Sequence, residues 1–281
     1  MPNNKDGRKA IGAVIIPTYM PQMHSLDRLE AVLETLTPIL TPIVCRVIVV
    51  AQAEPDLLLT FRSLAESRGI ETLEFSQRRG KWPAFAAGLK LLSGEEDWIV
   101  VLDGDGAFSG TEIPSLVVPI VEGVADHVIG QRDLVRLSAR DQITSNSRLY
   151  VEAFFNTVAL LLLGIADAPA FHRFDIQSGL HAFSAARCKN IALDKLPFYG
   201  GELFLFMETM CSGGRVVSVP VTTQENPLSG YLLTEVIDHL LALHWFATAS
   251  DDVFAKALDI APCLYQSWII DAESFRQEIR I

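Results

Sequence analysis

Over its first hundred residues the chain changes hydrophobic period repeatedly, from short unbroken apolar runs to segments with apolar side chains at helical spacing. Residues 11–16 and Trp98–Leu102 predict buried strands, with 44–50 a further strand and 72–75 a short one. Between them lie three predicted helices. Residues 25–36 place Leu26, Leu29, Val32, Leu33 and Leu36 on one face, with Ser25 as N-cap; residues 57–67 form the second; residues 82–92 form the third, with Pro83 harmless in its first turn. Strands that alternate with helices in this way build a mostly parallel sheet covered on both faces, the doubly wound α/β class.

The pattern loosens afterwards. Ile113–Val121 predicts a helix, 125–129 a strand, 140–164 a long helix, 174–183 a turn and short strand, 202–212 a helix and 215–221 a strand. Residues 231–260 predict an amphipathic helical tail with Leu232, Leu233, Val236, Leu240 and Leu243 on one face. No repeat or linker divides the chain, so a single domain is expected: 1–110 for one ligand, 111–222 for a second, and 223–281 as the tail.

Chemistry concentrates where the fourth strand stops. Trp98-Ile-Val-Val-Leu is followed at once by Asp103-Gly104-Asp105-Gly106. Open α/β sheets bind ligands just beyond the carboxyl ends of their strands. Two carboxylates held one residue apart there suit Mg²⁺ or Mn²⁺, which take few protein oxygens and fill their remaining positions with water and phosphate. Asp-Gly pairs also form ordinary turns, and both readings stand at this point.

Composition narrows the partners. A net charge of −11 argues against nucleic acid and requires any anionic substrate to be received by a local cation or a few basic side chains. Cys45, Cys188, Cys211 and Cys263 show no paired spacing, which disfavours zinc or disulfide frameworks and fits a cytoplasmic protein. The start of the chain lacks the apolar core of a signal peptide, and the longest apolar run, 158–166, is about half a membrane span. The tail is expected to pack on the core; peripheral membrane contact and a homodimer are the other options for it.

In order along the chain, Val14-Ile-Ile-Pro17-Thr18-Tyr19, the strand end Val49 to Asp56, Arg79-Gly80-Lys81 with Ala87-Gly88, Asp103-Gly-Asp105, Gly130-Gln-Arg132, Asn156 with Gly164, Asp175-Ile-Gln-Ser178-Gly179-Leu-His181, and Glu208 before Gly213-Gly214-Arg215 resemble the landmarks of family 2 glycosyltransferases with the GT-A fold, particularly the dolichyl-phosphate mannose synthase-like branch. The resemblance spans residues 11–222. It implies a metal-dependent, inverting hexosyltransferase that uses a nucleotide-diphosphate sugar. By the same resemblance Asp103 and Asp105 hold the cation, with Gly104 between them. Pro17, Tyr19, Gln52, Arg79, Lys81, Arg132, Ser178 and Gly179 meet the donor. His181 meets the acceptor, and Glu202, Glu208 and Asp175 are the candidate catalytic groups. Glu202 and Glu208 point to different faces of a helix, so only one of them is expected at the site.

Departures from the family pattern matter. Ala51 and Gln52 stand where paired acids are usual, although a Gln amide can also read a base edge. His181 replaces an arginine. If Glu202 is the family's Glu, Leu203 holds the place of the Asp that serves as base for soluble acceptors, which leans toward a phosphate acceptor, already ionised, or toward Glu202 or Glu208 working instead. Two other classes stay open: a haloacid dehalogenase-like phosphatase, which shares a strand followed by Asp-x-Asp-Gly, and a non-catalytic nucleotide-sugar-binding module.

Overall fold

A computed structural model describes residues 8–40, 44–133, 144–165, 174–189, 191, 199–224, 236, 238–243 and 246. Seven strands form one sheet: β1 (Ile11–Met20), β2 (Val44–Ala53), β3 (Glu71–Phe75), β4 (Trp98–Leu102), β5 (His127–Gln131), β6 (Leu180–Ser184) and β7 (Val216–Pro220). Their spatial order is β3-β2-β1-β4-β6-β5-β7. All neighbours run parallel except β6, which is antiparallel to both β4 and β5. The helices are α1 (Met23–Leu40), α2 (Pro55–Arg68), α3 (Lys81–Leu89), α4 (Ile113–Val121), α5 (Thr144–Leu162), α6 (Ala185–Cys188) and α7 (Gly201–Cys211).

The sheet separates two apolar layers, as alternating side chains on fully buried strands require. Val14, Ile16, Val49, Val100, Leu102 and Ala182 pack on α1, α2 and α4. Ile15, Ile48, Val50, Ile99, Val101 and Phe183 pack on α3, α5, α6 and α7. Val236, Leu243 and Phe246 of the tail join the second layer, with Phe246 against Phe204 and His239 stacked on Phe155. Where it is described, therefore, the tail covers the core; the rest of 231–260, with Leu232 and Leu233, lies outside the described residues.

Two local expectations change. Helix α1 begins at Met23, and the Ser25 amide donates to the Gln22 carbonyl, so Ser25 sits inside the first turn instead of capping it. Strand β1 runs past Pro17 to Met20. Proline's fixed φ is compatible with extended backbone, and β4 pairs only with Gly12–Ile15, so the end of β1 is a one-sided edge where a missing N–H costs little.

Strand order reverses between β1 and β4: successive strands step one way from β1 to β3, then β4 returns to the other side of β1. Such a switch point leaves a crevice outside the carboxyl ends of the two central strands. Tyr19 and the Asp103–Asp105 turn both lie at its rim.

Candidate donor site

Three elements meet at the crevice. The amide of Asp103, one residue past β4, donates to the Gly179 carbonyl at 3.0 Å. Its carboxylate rests on the Cα of Gly179; a Cβ built there would fall 2.1 Å from Asp103 Oδ2. No side chain larger than hydrogen fits at 179 unless Asp103 moves. Asp105 turns back so that Oδ1 accepts the Ala107 amide at 2.9 Å.

Lys81, the first residue of α3, extends its ammonium between two acids, 2.7 Å from Asp103 Oδ1 and 2.5 Å from Glu202 Oε1. Glu202 is placed by the start of α7. A Cβ on Gly201 would fall 2.1 Å from the indole of Trp82, so glycine lets α7 close on α3. The Trp82 Nε1–H then donates to Glu202 Oε2 at 2.7 Å. Thus Lys81 and Trp82, adjacent on one helix turn, grip both oxygens of one carboxylate.

These contacts set the charges. Desolvation pushes Asp103 and Glu202 up and Lys81 down, and the neighbouring charges add to it or oppose it. Burial, with the charges of Asp105 and Glu202 adding to it and Lys81 opposing it, pushes Asp103 up to about 6. For Glu202 burial is overcome by the Lys81 ammonium, which brings it down to about 2. Lys81 is held well above its ordinary value by the two carboxylates, against its own desolvation. Asp103, Asp105 and Glu202 outnumber the single ammonium. Hard carboxylate oxygens in an acid-rich crevice fit Mg²⁺ or Mn²⁺. Among the described residues no three His, Cys, Asp or Glu side chains converge as a ready-made cage, so a cation there would need other oxygens as well.

On the other side of the crevice, a cavity of about 320 Å³ is lined by Tyr19, Met20, Ala53, Glu54, Gln77 and Arg78 among others, at the ends of β1, β2 and β3. The Arg78 guanidinium lies 4.7 Å from the Tyr19 ring centroid and 5.4 Å from that of Tyr199, linking this cavity to the segment entering α7.

Several expected site residues turn out to hold the scaffold. The Gln52 amide oxygen accepts from the Arg79 and Gly80 amides at 2.6 and 3.0 Å, so Gln52 shapes the loop before α3 and does not offer that oxygen to a base. Arg79 itself is exposed and folds over Phe75, 3.9 Å from the ring centroid. Arg132, after β5, is clamped by Asp175 through Nε (2.5 Å) and an η nitrogen (2.7 Å) and by Glu152 of α5 at 2.7 Å. Asp175 is wholly buried with both oxygens engaged, so neither partner is a free phosphate ligand or base in this arrangement. His181 is wholly buried too, with both ring nitrogens occupied inside the fold. Pro17 is an interior strand residue, and Ser178 is buried in the turn that carries Gly179.

Glu208 lies apart from the rest. It pairs with Arg187 at 3.1 Å, on α6, directly after β6. Because β6 runs antiparallel to β4, with Ser184 opposite Trp98, α6 sits at the end of the sheet away from Asp103. Trp82, Glu152, Arg78 and Tyr199 were not foreseen; Trp82 beside Lys81 at a helix start was the one visible hint.

The same fold occurs in solved structures. A mannosyltransferase from Pyrobaculum calidifontis, PcManGT, in complex with GDP-Man and Mn²⁺, superposes with a TM-score of 0.53 at 14% identity, covering 95% of this chain and 85% of its own. S. aureus TarS residues 1–349 in complex with UDP-GlcNAc gives 0.54 at 13% identity, covering 88% of this chain and 69% of its own. The architecture is thus that of GT-A proteins. Among curated proteins no sequence matches. Residues 13–175, more than half of the chain, match Glycosyl transferase family 2, and the chain belongs to that family. Membership replaces the phosphatase alternative, and the matched span contains Lys81, Asp103, Asp105, Arg132 and Asp175.

Proposed function

We propose that this glycosyltransferase is cation-dependent and inverting, and that it moves a hexosyl group from a nucleotide-diphosphate sugar to an acceptor bearing phosphate. The observation that carries the reading is the Asp103-Gly104-Asp105 turn at the β1/β4 switch point, with the Lys81 ammonium 2.7 Å from Asp103. The nucleoside enters the cavity beside Tyr19 and Arg78, and the diphosphate lies toward Lys81. Asp103 and Asp105 would hold Mg²⁺ or Mn²⁺, as the GDP-Man and Mn²⁺ complex of the similar mannosyltransferase encourages. When bound, the cation neutralises charge on the departing diphosphate.

The acceptor oxygen attacks the anomeric carbon from the face opposite the diphosphate. The carbon–oxygen bond to the donor breaks, and the nucleoside diphosphate leaves with the electron pair. Glu202, held near 2 and bonded to Lys81 and Trp82, is a feeble proton acceptor at neutral pH. Asp175 is committed to Arg132. With no poised base among the expected carboxylates, an acceptor that is already ionised fits best, in keeping with the lipid-phosphate side of the dolichyl-phosphate mannose synthase-like branch. Thermal shifts with GDP-, UDP-, dTDP- and CDP-sugars plus Mn²⁺, followed by transfer assays on polyprenyl phosphate and on a neutral sugar, test this. Transfer only to the phosphate is expected; transfer only to the hydroxyl acceptor refutes the acceptor class.

A further inference from the structure

Beneath Asp103 the sheet carries two buried histidines that the chemistry above does not use. His181, on β6, lies opposite Val101 of β4 and Ile129 of β5. Its Nε2 is 2.8 Å from the Ser178 carbonyl and its Nδ1 is 2.8 Å from His127 Nε2. A carbonyl only accepts, so His181 carries its proton on Nε2, and its bare Nδ1 accepts from a protonated His127 Nε2. His127 Nδ1 is then a buried lone pair, and it has no hydrogen-bond partner among the described residues. Both rings are wholly buried, with Phe183 between them and Phe85 of α3. A buried orphan acceptor is rare and calls for a reason.

Ser178 is the residue before Gly179, the one that receives the Asp103 amide and against which the Asp103 carboxylate rests. We infer that His181, its tautomer set by the Ser178 carbonyl and its bare Nδ1 held by His127, is a positioning residue: it pins the Ser178–Gly179 turn and thereby fixes the Asp103 carboxylate for cation binding. The inference rests on the cation reading of Asp103. Partners that orient a ligand residue change metal affinity by roughly 10–100-fold when removed.

The test uses the full chain and four variants, His181→Leu, His181→Gln, His127→Leu and His127→Gln, with Mn²⁺ alone as the probe, its free ion counted by paramagnetic resonance. Glutamine places an amide N–H near the position of Nε2, so each Gln variant keeps the donated bond and each Leu variant loses it. Both Leu variants should weaken Mn²⁺ binding about tenfold or more, and both Gln variants should recover most of it. Equal Mn²⁺ affinity in folded Leu variants, or Gln variants no better than Leu, overturns the inference. Nitrogen-15 spectra of the wild type give an independent readout that needs no variant to fold: His181 must be protonated at Nε2, and an Nδ1–H form overturns the relay. Asp103→Asn separates the two levels. If it abolishes Mn²⁺ binding while His181→Leu does not, only the positioning role fails; if it too leaves binding intact, the cation reading has failed.

Discussion

Lys81 occupies the space a divalent cation would contest, and replacing it with Met should have opposite effects on stability and on cation binding. The ammonium contacts Asp103 Oδ1 and Glu202 Oε1 with only 14% of its side chain exposed. Removing one member of a buried pair leaves the other uncompensated, at a cost of about 3–5 kcal/mol. Part of Asp103 faces solvent, and Trp82 still bonds Glu202, so the lower bound applies. A loss of about 3 kcal/mol lowers the melting temperature of a domain of this size by roughly 6–12 °C. In the wild type a cation must also displace a charge-assisted contact, worth about 1.5–3 kcal/mol. Without Lys81, Mn²⁺ alone should therefore bind roughly 10–100-fold tighter, because 1.4 kcal/mol is a factor of about ten. Mn²⁺ should restore much of the lost melting temperature, since a ligand at about 100 times its Kd contributes about 2.7 kcal/mol. Calorimetry without and with Mn²⁺, beside a paramagnetic-resonance titration, reads both effects. A Lys81→Met protein as stable as wild type, or one that binds Mn²⁺ no more tightly, refutes the idea that ammonium and cation compete for one carboxylate.

Three further outcomes follow from the same geometry. Gly179→Ala puts a methyl group 2.1 Å from Asp103 Oδ2, so Mn²⁺ binding should weaken at least tenfold while the fold loses about 1–3 kcal/mol; unchanged Mn²⁺ affinity would show that the carboxylate need not stay where it is. Asp103 titrates at about 6, and only its ionised form binds a cation, so Mn²⁺ affinity should be flat above that pH and fall about tenfold per unit below it, a profile that Asp103→Asn removes. The sign for stability is the reverse: because the folded value is raised, the Asp103 contribution to metal-free stability is complete below the ordinary carboxylate range and is lost as pH rises through about 6. Glu208→Gln, at the far end of the sheet beside the largely buried Arg187, should leave transfer rates within about twofold while lowering stability by about 1–3 kcal/mol, read by kinetics and denaturant melts.

Periodicity made the sheet legible. The first four strands start within one residue of their expected positions and end within four, and β4 matches its apolar run residue for residue, because a parallel strand buried on both faces must be apolar throughout. Boundaries slipped where local chemistry was ambiguous, at Ser25 and at Pro17. The acidic pair after β4 was legible for the same reason, since an unbroken run that stops at two carboxylates marks a strand's exit. What sequence could not convey was pairing at a distance. Lys81 and Glu202 are 121 residues apart, and Arg132 and Asp175 are 43 apart. Each looked like a free ligand until the fold supplied its partner. His127 and His181 lack metal-ligand spacing, and only the antiparallel register of β5 and β6 brings them together. The six-residue interval between Glu202 and Glu208 did show that they point differently, and the fold puts them at opposite ends of the sheet.

The most direct test of the donor site is calorimetric titration of the wild type, Asp103→Asn and Asp105→Asn with nucleoside diphosphates, with and without Mn²⁺. Cation-dependent binding of one nucleotide to the wild type, lost in both variants, is the predicted result. Nucleotide affinity that neither Mn²⁺ nor either substitution alters would contradict a cation held by these two carboxylates.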